Sequence, residues 1–207
     1  TVLPSWQAGA EIIITQHTHQ WDGQQERTIQ QISYAGDNMA RIVLDQPIVP
    51  PTTLKDHPIM AVEVAILSRN IVFKGAPTET KMGGHFWILR TPGVYQHLEG
   101  VDVQQFGQQG NLGRYPIHMH LSRDNPSTIA ANTVRHSFQR CIVIHGTNQV
   151  LVARNVAYSI FGHCYITEDG VETHNVFLHN LGASVLKPDI ILRNEGQKET
   201  DSVPAVF

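Results

Sequence analysis

Two strand-like runs, CIVIHGTNQVLVARNVAYS and CYITEDGVETHNVFLHN, open at Cys141 and Cys164, 23 residues apart. A period of that size matches one coil of a parallel β-solenoid, in which each coil buries against the next a face it cannot bury alone. Asn132 and Asn155 keep the same interval, each nine residues ahead of its cysteine. Asn175 follows after only 20, which reads as a third rung with a shortened turn. Upstream, LEGVDVQQFG and PIHMHL carry the same unit, with the longer excursion placed in SRDNPST, where Pro and Asn favour a turn. A β-sandwich of short strands would alternate and turn as well, but it has no reason to repeat Asn and Cys in register. The expected fold is therefore all-β, a right-handed parallel β-helix (solenoid), with a β-rich N-terminal capping region over residues 1–79 and coils over 80–207, truncated at the C-terminus.

The first 79 residues have no fixed period. GAEIIIT, RTIQQISYAG, ARIVLDQPIV and EVAILSRNIVFKG read as strands with hairpin-like or loose connections, and the proline-rich VPPTTLKDHP reads as a surface crossing. At 207 residues and 41% hydrophobic, the chain can bury a core. A formal charge of -3, from 15 basic and 18 acidic residues, gives no footprint for nucleic acid. No apolar stretch is long enough to span a bilayer. The two cysteines, if they occupy equivalent places on adjacent coils, sit about 4.8 Å apart across the ladder. That is more than the Cβ separation of a relaxed disulfide, so stacked free thiols are expected.

Twelve histidines are the oddity of the composition. His118 and His120 lie two apart in GRYPIHMH, so on a strand they share one face while Ile117 and Met119 share the other. His120, His145 and Glu168 fall at near-coil intervals and form an expected column of neighbours, able to hold a divalent metal or to share protons. A polar ladder uses the same residue types. Arg114 and Tyr115 precede Pro116 in an extended dipeptide, offering a donor fork for a carboxylate and a flat face for a sugar ring. Pairing of Arg114 with Asp102 or Asp169 is the structural alternative. His163, beside Gly162, is expected to face outward while Cys164 faces inward. Asn132, Asn155 and Asn175 read as an internal amide ladder at coil corners.

GGHFWIL, GVDVQQFGQQGNLGRYPIHMHL, SFQRCIVIHGTN and NVAYSIFGHCYITEDGVETHNVFLHNLG together resemble the β-helix region of the cell-migration-inducing hyaluronidase and transmembrane protein 2 family, which fibrocystin-like proteins share. The resemblance covers roughly residues 58–186, because GRYPIH, the FxRC run with IHG, and GHCxxxEDG recur in one order at similar spacings. EVAILSRNIVFKG resembles the segment that joins the family's G8 domain to the helix, and GAEIIIT the strand that opens this connection. Met119 stands where the family usually has an aromatic residue, the family's disulfide-rich insert is not visible after Leu186, and the final SVPAVF resembles the start of its FW-containing segment.

The resemblance implies extracellular or cell-surface residence, handling of hyaluronan and, for some members, calcium-dependent depolymerisation. Its motif positions here are Arg114, His118, His120, Arg140, His145, His163, Glu168 and Asp169. The expected activity is cleavage of a uronic-acid glycan such as hyaluronan. In a hydrolytic route, Glu168 or Asp169 serves as acid, with the partner carboxylate, His145 or His120 activating water. An eliminative route would remove the proton beside the uronate carboxyl. Arg114, Tyr115, Arg140, His163 and Tyr165 are the expected glycan contacts. The cation is calcium by resemblance, or zinc or another transition metal if His120, His145 and Glu168 bind it. The alternative is a non-catalytic glycan-binding or adhesion module on the same face.

Overall fold

Alternating apolar and polar residues in short runs, broken at regular intervals by single residues that leave the extended conformation, dictate strands that turn corners instead of hairpins. The computed structural model describes residues 6–16, 23–36, 39–49, 62–76, 79–190 and 206. The proline-rich crossing from residue 50 and most of the segment after Ile190 lie outside them. The chain divides into two units, Thr1–Ser68 and Arg69–Phe207.

The first unit is an antiparallel sheet of β1 (Glu11–Ile14), β2 (Gln25–Ala35), β3 (Met39–Leu44) and β4 (Val64–Ile66), in the order β3-β2-β1-β4. Ile12, Ile14 and Ile29 form its core with Ala10, against which Trp6, Ile32, Ile42 and Leu44 pack. The second unit starts at Arg69, earlier than the expected boundary at residue 80. The reason is β5 (Ile71–Lys74), which pairs in parallel with the first complete coil and so already belongs to the solenoid.

The coils follow in order. β6 (Phe86–Leu89) precedes the triplet β7 (His97–Glu99), β8 (Val101–Gln104) and β9 (Ile117–Asp124). Next come β10 (Thr128–Ala130), β11 (Thr133–Ser137) and β12 (Ile142–Asn148), then β13 (Leu151–Ala153), β14 (Val156–Phe161) and β15 (Tyr165–Thr167), and last β16 (Val176–Leu178) and β17 (Leu181–Leu186). Equivalent strands stack into three parallel sheets, β16-β13-β10-β7, β17-β14-β11-β8-β5 and β15-β12-β9-β6. This is a parallel β-helix. Val101, Ile117, Met119, Ile129, Ile142 and Ile144 are among the side chains that fill its interior. The Val206 carbonyl accepts from Tyr165 N as the Cys164 carbonyl accepts from Ile142 N, so Val206 stands in register beyond β15.

One corner is built alike in every coil. Gly100, Ala131, Arg154 and His179 each take a left-handed φ of 69°, 54°, 53° and 53°. The residues after the last three are Asn132, Asn155 and Asn180. Asn132 N donates to Asn155 Oδ1 at 3.0 Å, and Asn155 N to Asn180 Oδ1 at 3.0 Å. The amide nitrogens reach back to the carbonyls of Leu98, Ile129 and Val152. The third rung is thus Asn180, not Asn175, and it follows Asn155 by 25 residues instead of a shortened 20. Asn175 holds a different corner, accepting from Val150 N and donating to Thr147 O. The longest coil separates Val101 and Asn132 by 31 residues. Its extra length lies mainly between β8 and β9, not in SRDNPST, whose first three residues end β9 and whose last begins β10.

The two cysteines are joined, contrary to the expected free thiols. The Cys141–Cys164 disulfide bridges adjacent coils in the core, with a Cα–Cα distance of 4.7 Å. Ladder spacing is a Cα quantity, and 4.7 Å falls within the range that disulfides span once the two side chains lean together.

Removal of the bridge by Cys141→Ser with Cys164→Ser is expected to cost about 3 kcal/mol from loop closure alone; an unchanged denaturation midpoint would refute its structural weight. Asn155→Ala leaves several buried partners unsatisfied at about 1–3 kcal/mol each, and should destabilise clearly more than Asn175→Ala. Equal midpoints for these two variants would show that the ladder carries no special load.

Candidate functional site

The outer face of the β15-β12-β9-β6 sheet collects the chemistry. In β9, Ile117 and Met119 are in the core while His118 and His120 face outward, as alternation requires. Parallel register sets Trp87 beside His118, His120 beside His145, and Ile144 beside Thr167, which brings Glu168 next after His145. Rings therefore stack across coils. Trp87 and His118 are near-parallel at 6.2 Å between centroids, His118 and His145 at 5.8 Å, and His120 meets His145 edge-on at 4.9 Å.

The residues between β8 and β9 fold over part of this face. Gln139 donates to the carbonyls of Gln108 and Asn111 at 2.9 and 2.6 Å and pins the segment down. Tyr115, at its end, is buried against Val143. Its hydroxyl donates to Glu168 Oε1 at 2.6 Å, and Arg140 Nη1 donates to the same oxygen at 3.0 Å. Arg140 also lies over the Tyr115 ring at 4.7 Å. Burial pushes the Tyr115 phenol up, well beyond its ordinary value, so it remains a donor. Burial would raise Glu168 as well, but His118 and Tyr115 at its oxygens, and then the Arg140 charge, outweigh it and bring the carboxyl down to about 2. Glu168 is thus a carboxylate at neutral pH, which removes it as a general acid.

Its second oxygen faces the histidines. Glu168 Oε2 is 3.5 Å from His118 Nε2 and 3.5 Å from His145 Nδ1. His118 Nε2 is buried and makes no hydrogen bond of good geometry among the described residues. The other nitrogen of each ring has an acceptor: His118 Nδ1 is 3.0 Å from Gly113 O, and His145 Nε2 is 3.2 Å from Asp169 Oδ2. Candidate ligand atoms of His118, His145 and Glu168 all lie within 4.8 Å of one another. The expected triad of His120, His145 and Glu168 is corrected in one member. His120 shares the column, but the converging nitrogen is that of His118. Burial, followed by the nearby His118 and His145, lowers His120 despite the opposing carboxylate.

Several expected glycan contacts are placed elsewhere. Tyr165 is in the interior, its hydroxyl donating to the carbonyls of Asn155 and Leu181 at 3.1 and 3.0 Å. Tyr115 and Arg140 are 0% and 1% exposed, so they hold Glu168 from behind and offer no surface to a ligand. His163 sits beside Gly162, at the opposite end of β15 from Glu168. Asp102 pairs with Arg135 at 2.9 Å, not with Arg114. Arg114 instead contacts His85 Nε2 at 2.8 Å and lies over the Trp87 ring at 4.8 Å. His85 and Trp87 escaped the sequence reading, although GGHFWIL contains both; only the parallel register of β6 with β9 puts them at the site.

Comparison with known proteins adds to this geometry. A family model described as the CEMIP beta-helix matches residues 81–205. The cell surface hyaluronidase CEMIP2 of Homo sapiens is 30% identical over 211 residues, covering 92% of this chain and 15% of that protein. Communication mutant protein F of Dictyostelium discoideum is 46% identical over 127 residues, covering 59% and 11%. The cell migration-inducing and hyaluronan-binding protein of Mus musculus is 37% identical over 150 residues, covering 61% and 11%. The chain spans 11 to 15% of the length of these three relatives. With its stacked parallel sheets and a match over more than half its length, the chain belongs to the CEMIP beta-helix family.

Proposed function

We propose that the outer face around His118, His145, Glu168 and Asp169 cleaves a uronic-acid glycan such as hyaluronan, by hydrolysis. The observation that carries this reading is one buried carboxylate, tied at Oε1 by Tyr115 and Arg140, presenting Oε2 to two imidazoles whose far nitrogens are already engaged. Two relatives are named for hyaluronan, one of them a hyaluronidase.

The same arrangement fits a divalent cation. Metal-ligating histidines ordinarily have their second nitrogen held by a carbonyl or carboxylate, which Gly113 O and Asp169 do here. Two nitrogens and one carboxylate oxygen suit zinc or another transition metal; calcium takes six to eight oxygens, so this donor set does not fit it. When bound, such an ion supplies Lewis-acid activation of water or of a developing oxyanion. The remaining work belongs to the chain. Asp169, exposed beside His145, would as a carboxylate take the proton of the attacking water and return it to the leaving glycosidic oxygen, with His145 between it and Glu168. Glu168 stays ionised, and Gly113 O and Asp169 fix the two histidines.

The disulfide fits an oxidising compartment, and no helix among the described residues is long and apolar enough to cross a membrane. Extracellular or cell-surface residence follows as part of the proposal. A non-catalytic glycan-binding face is the second reading. Arg114 lying over the exposed Trp87 ring favours it, since a cation and an aromatic face suffice to bind an acidic sugar.

High-molecular-mass hyaluronan incubated with the chain should shorten, and chelator should stop this while leaving the fold intact. His118→Ala should reduce turnover by more than the about 10–100-fold typical of an outer-shell partner. Ultraviolet absorbance of the product separates elimination, which leaves an unsaturated ring, from hydrolysis. Unshortened hyaluronan bound by folded protein would establish the binding module instead.

The Glu168 environment makes a separate prediction about stability. Its folded value of about 2 lies below the ordinary 4.5, so its contribution is complete above about pH 4.5 and is lost as pH falls toward 2. Wild type should lose melting temperature across that window more steeply than Glu168→Gln. Parallel acid profiles for the two proteins would contradict the assignment.

A further inference from the structure

Arg114 is a half-buried cation without a carboxylate partner among the described residues, although Glu168 and Asp169 lie on the same sheet face. Its guanidinium can only donate, so the 2.8 Å contact from Nη1 makes His85 Nε2 the acceptor and places the imidazole proton on Nδ1. His85 is therefore neutral. Its environment agrees: burial, then the Arg114 charge, then His118 lower it. Trp87 holds the guanidinium from the ring side at 4.8 Å and is itself 41% exposed, so the pair is open to solvent. A cation fixed by one neutral acceptor and one ring keeps most of its five N–H donors for something else.

We infer that Arg114 receives a single uronate carboxylate of the glycan and that His85 is the positioning residue that fixes its guanidinium against Trp87. The inference rests on the reading of this outer face as a glycan site and adds its specificity: a sugar without the carboxylate loses its anchor. A lysine at 114 would not serve as well, because a point charge has no plane to lie on Trp87 and no fork to grip both carboxylate oxygens. His85 does not touch the ligand in this arrangement. It acts by removing the rotational freedom of a long side chain before binding.

The test is calorimetric titration of the chain with a hyaluronan hexasaccharide and with the same oligosaccharide after reduction of its carboxyls to alcohols. Wild type should prefer the native hexasaccharide by about 10-fold or more, the scale of a charge-assisted hydrogen bond. Arg114→Ala should abolish the preference. His85→Phe keeps the ring volume but cannot accept, and should lower the preference to about 3-fold or less; His85→Gln, with an amide oxygen to accept from Arg114, should restore most of it. Equal weakening toward both ligands in His85→Phe would mark a merely structural role and overturn the inference, as would a wild type without preference. Those results differ from failure of the depolymerising activity, which would appear as carboxylate-dependent binding of hyaluronan that is never shortened.

Discussion

The amide ladder at Asn132, Asn155 and Asn180 is the constraint on which the rest depends. A left-handed residue at a coil corner costs about 1–2 kcal/mol when it is not glycine, and Ala131, Arg154 and His179 all adopt that conformation. The following asparagine offsets the cost by satisfying two backbone groups of the preceding coil at once, as Asn155 does for the Asn132 N–H and the Ile129 carbonyl. Because each amide bonds the next, the corners cannot slip independently. A one-residue slip in any coil would break the ladder and turn the outward histidines into the core. The disulfide at Cys141 and Cys164 locks the same two coils at a second point, on the strand that leads into the site.

Fixed register accounts for a cluster whose members are far apart in sequence. Trp87, His118 and His145 come from three successive strands of one sheet, and Glu168 directly follows the fourth. The irregular contribution is the stretch between β8 and β9, where the longest coil stores its extra residues. That excursion supplies Arg114 and buries Tyr115, so a single insertion builds both the half-buried cation and the support for Glu168. Gly113 contributes only its carbonyl, which orients His118.

The fold was legible because Asn and Cys repeat together at 23 residues, and only stacked coils need that. What stayed hidden had physical reasons. HNVFLHN contains two asparagines, Asn175 and Asn180, and both serve corners; each follows a left-handed histidine, His174 or His179, so neither residue type nor local conformation marks which one continues the ladder. His118 and His120 share a face, so alternation cannot say which imidazole reaches Glu168. Arg140 and Tyr115 looked like ligand-facing residues because they are polar, but a buried carboxylate requires such partners as much as a polyanion does. The same ambiguity misassigned Tyr165, whose hydroxyl completes a backbone corner instead of meeting a sugar.

Charge is distributed unevenly along the face, and this gives the site a direction. Arg140 and Glu168 neutralise each other in the interior. Among the described residues, the surface charges beside the histidines include Arg114 at the level of β6 and Asp169 just past β15. Those two strands are three rungs apart, which at about 4.8 Å per rung is about 14 Å. A glycan anchored by its carboxylate at Arg114 would have its next anion carried toward a carboxylate if it simply followed the face. The repulsion is tolerable only if the uncharged sugar, or the linkage itself, lies against Asp169. Under the proposed glycan reading, the polarity of the face would favour anionic groups that alternate with neutral ones over a uniformly charged polyanion.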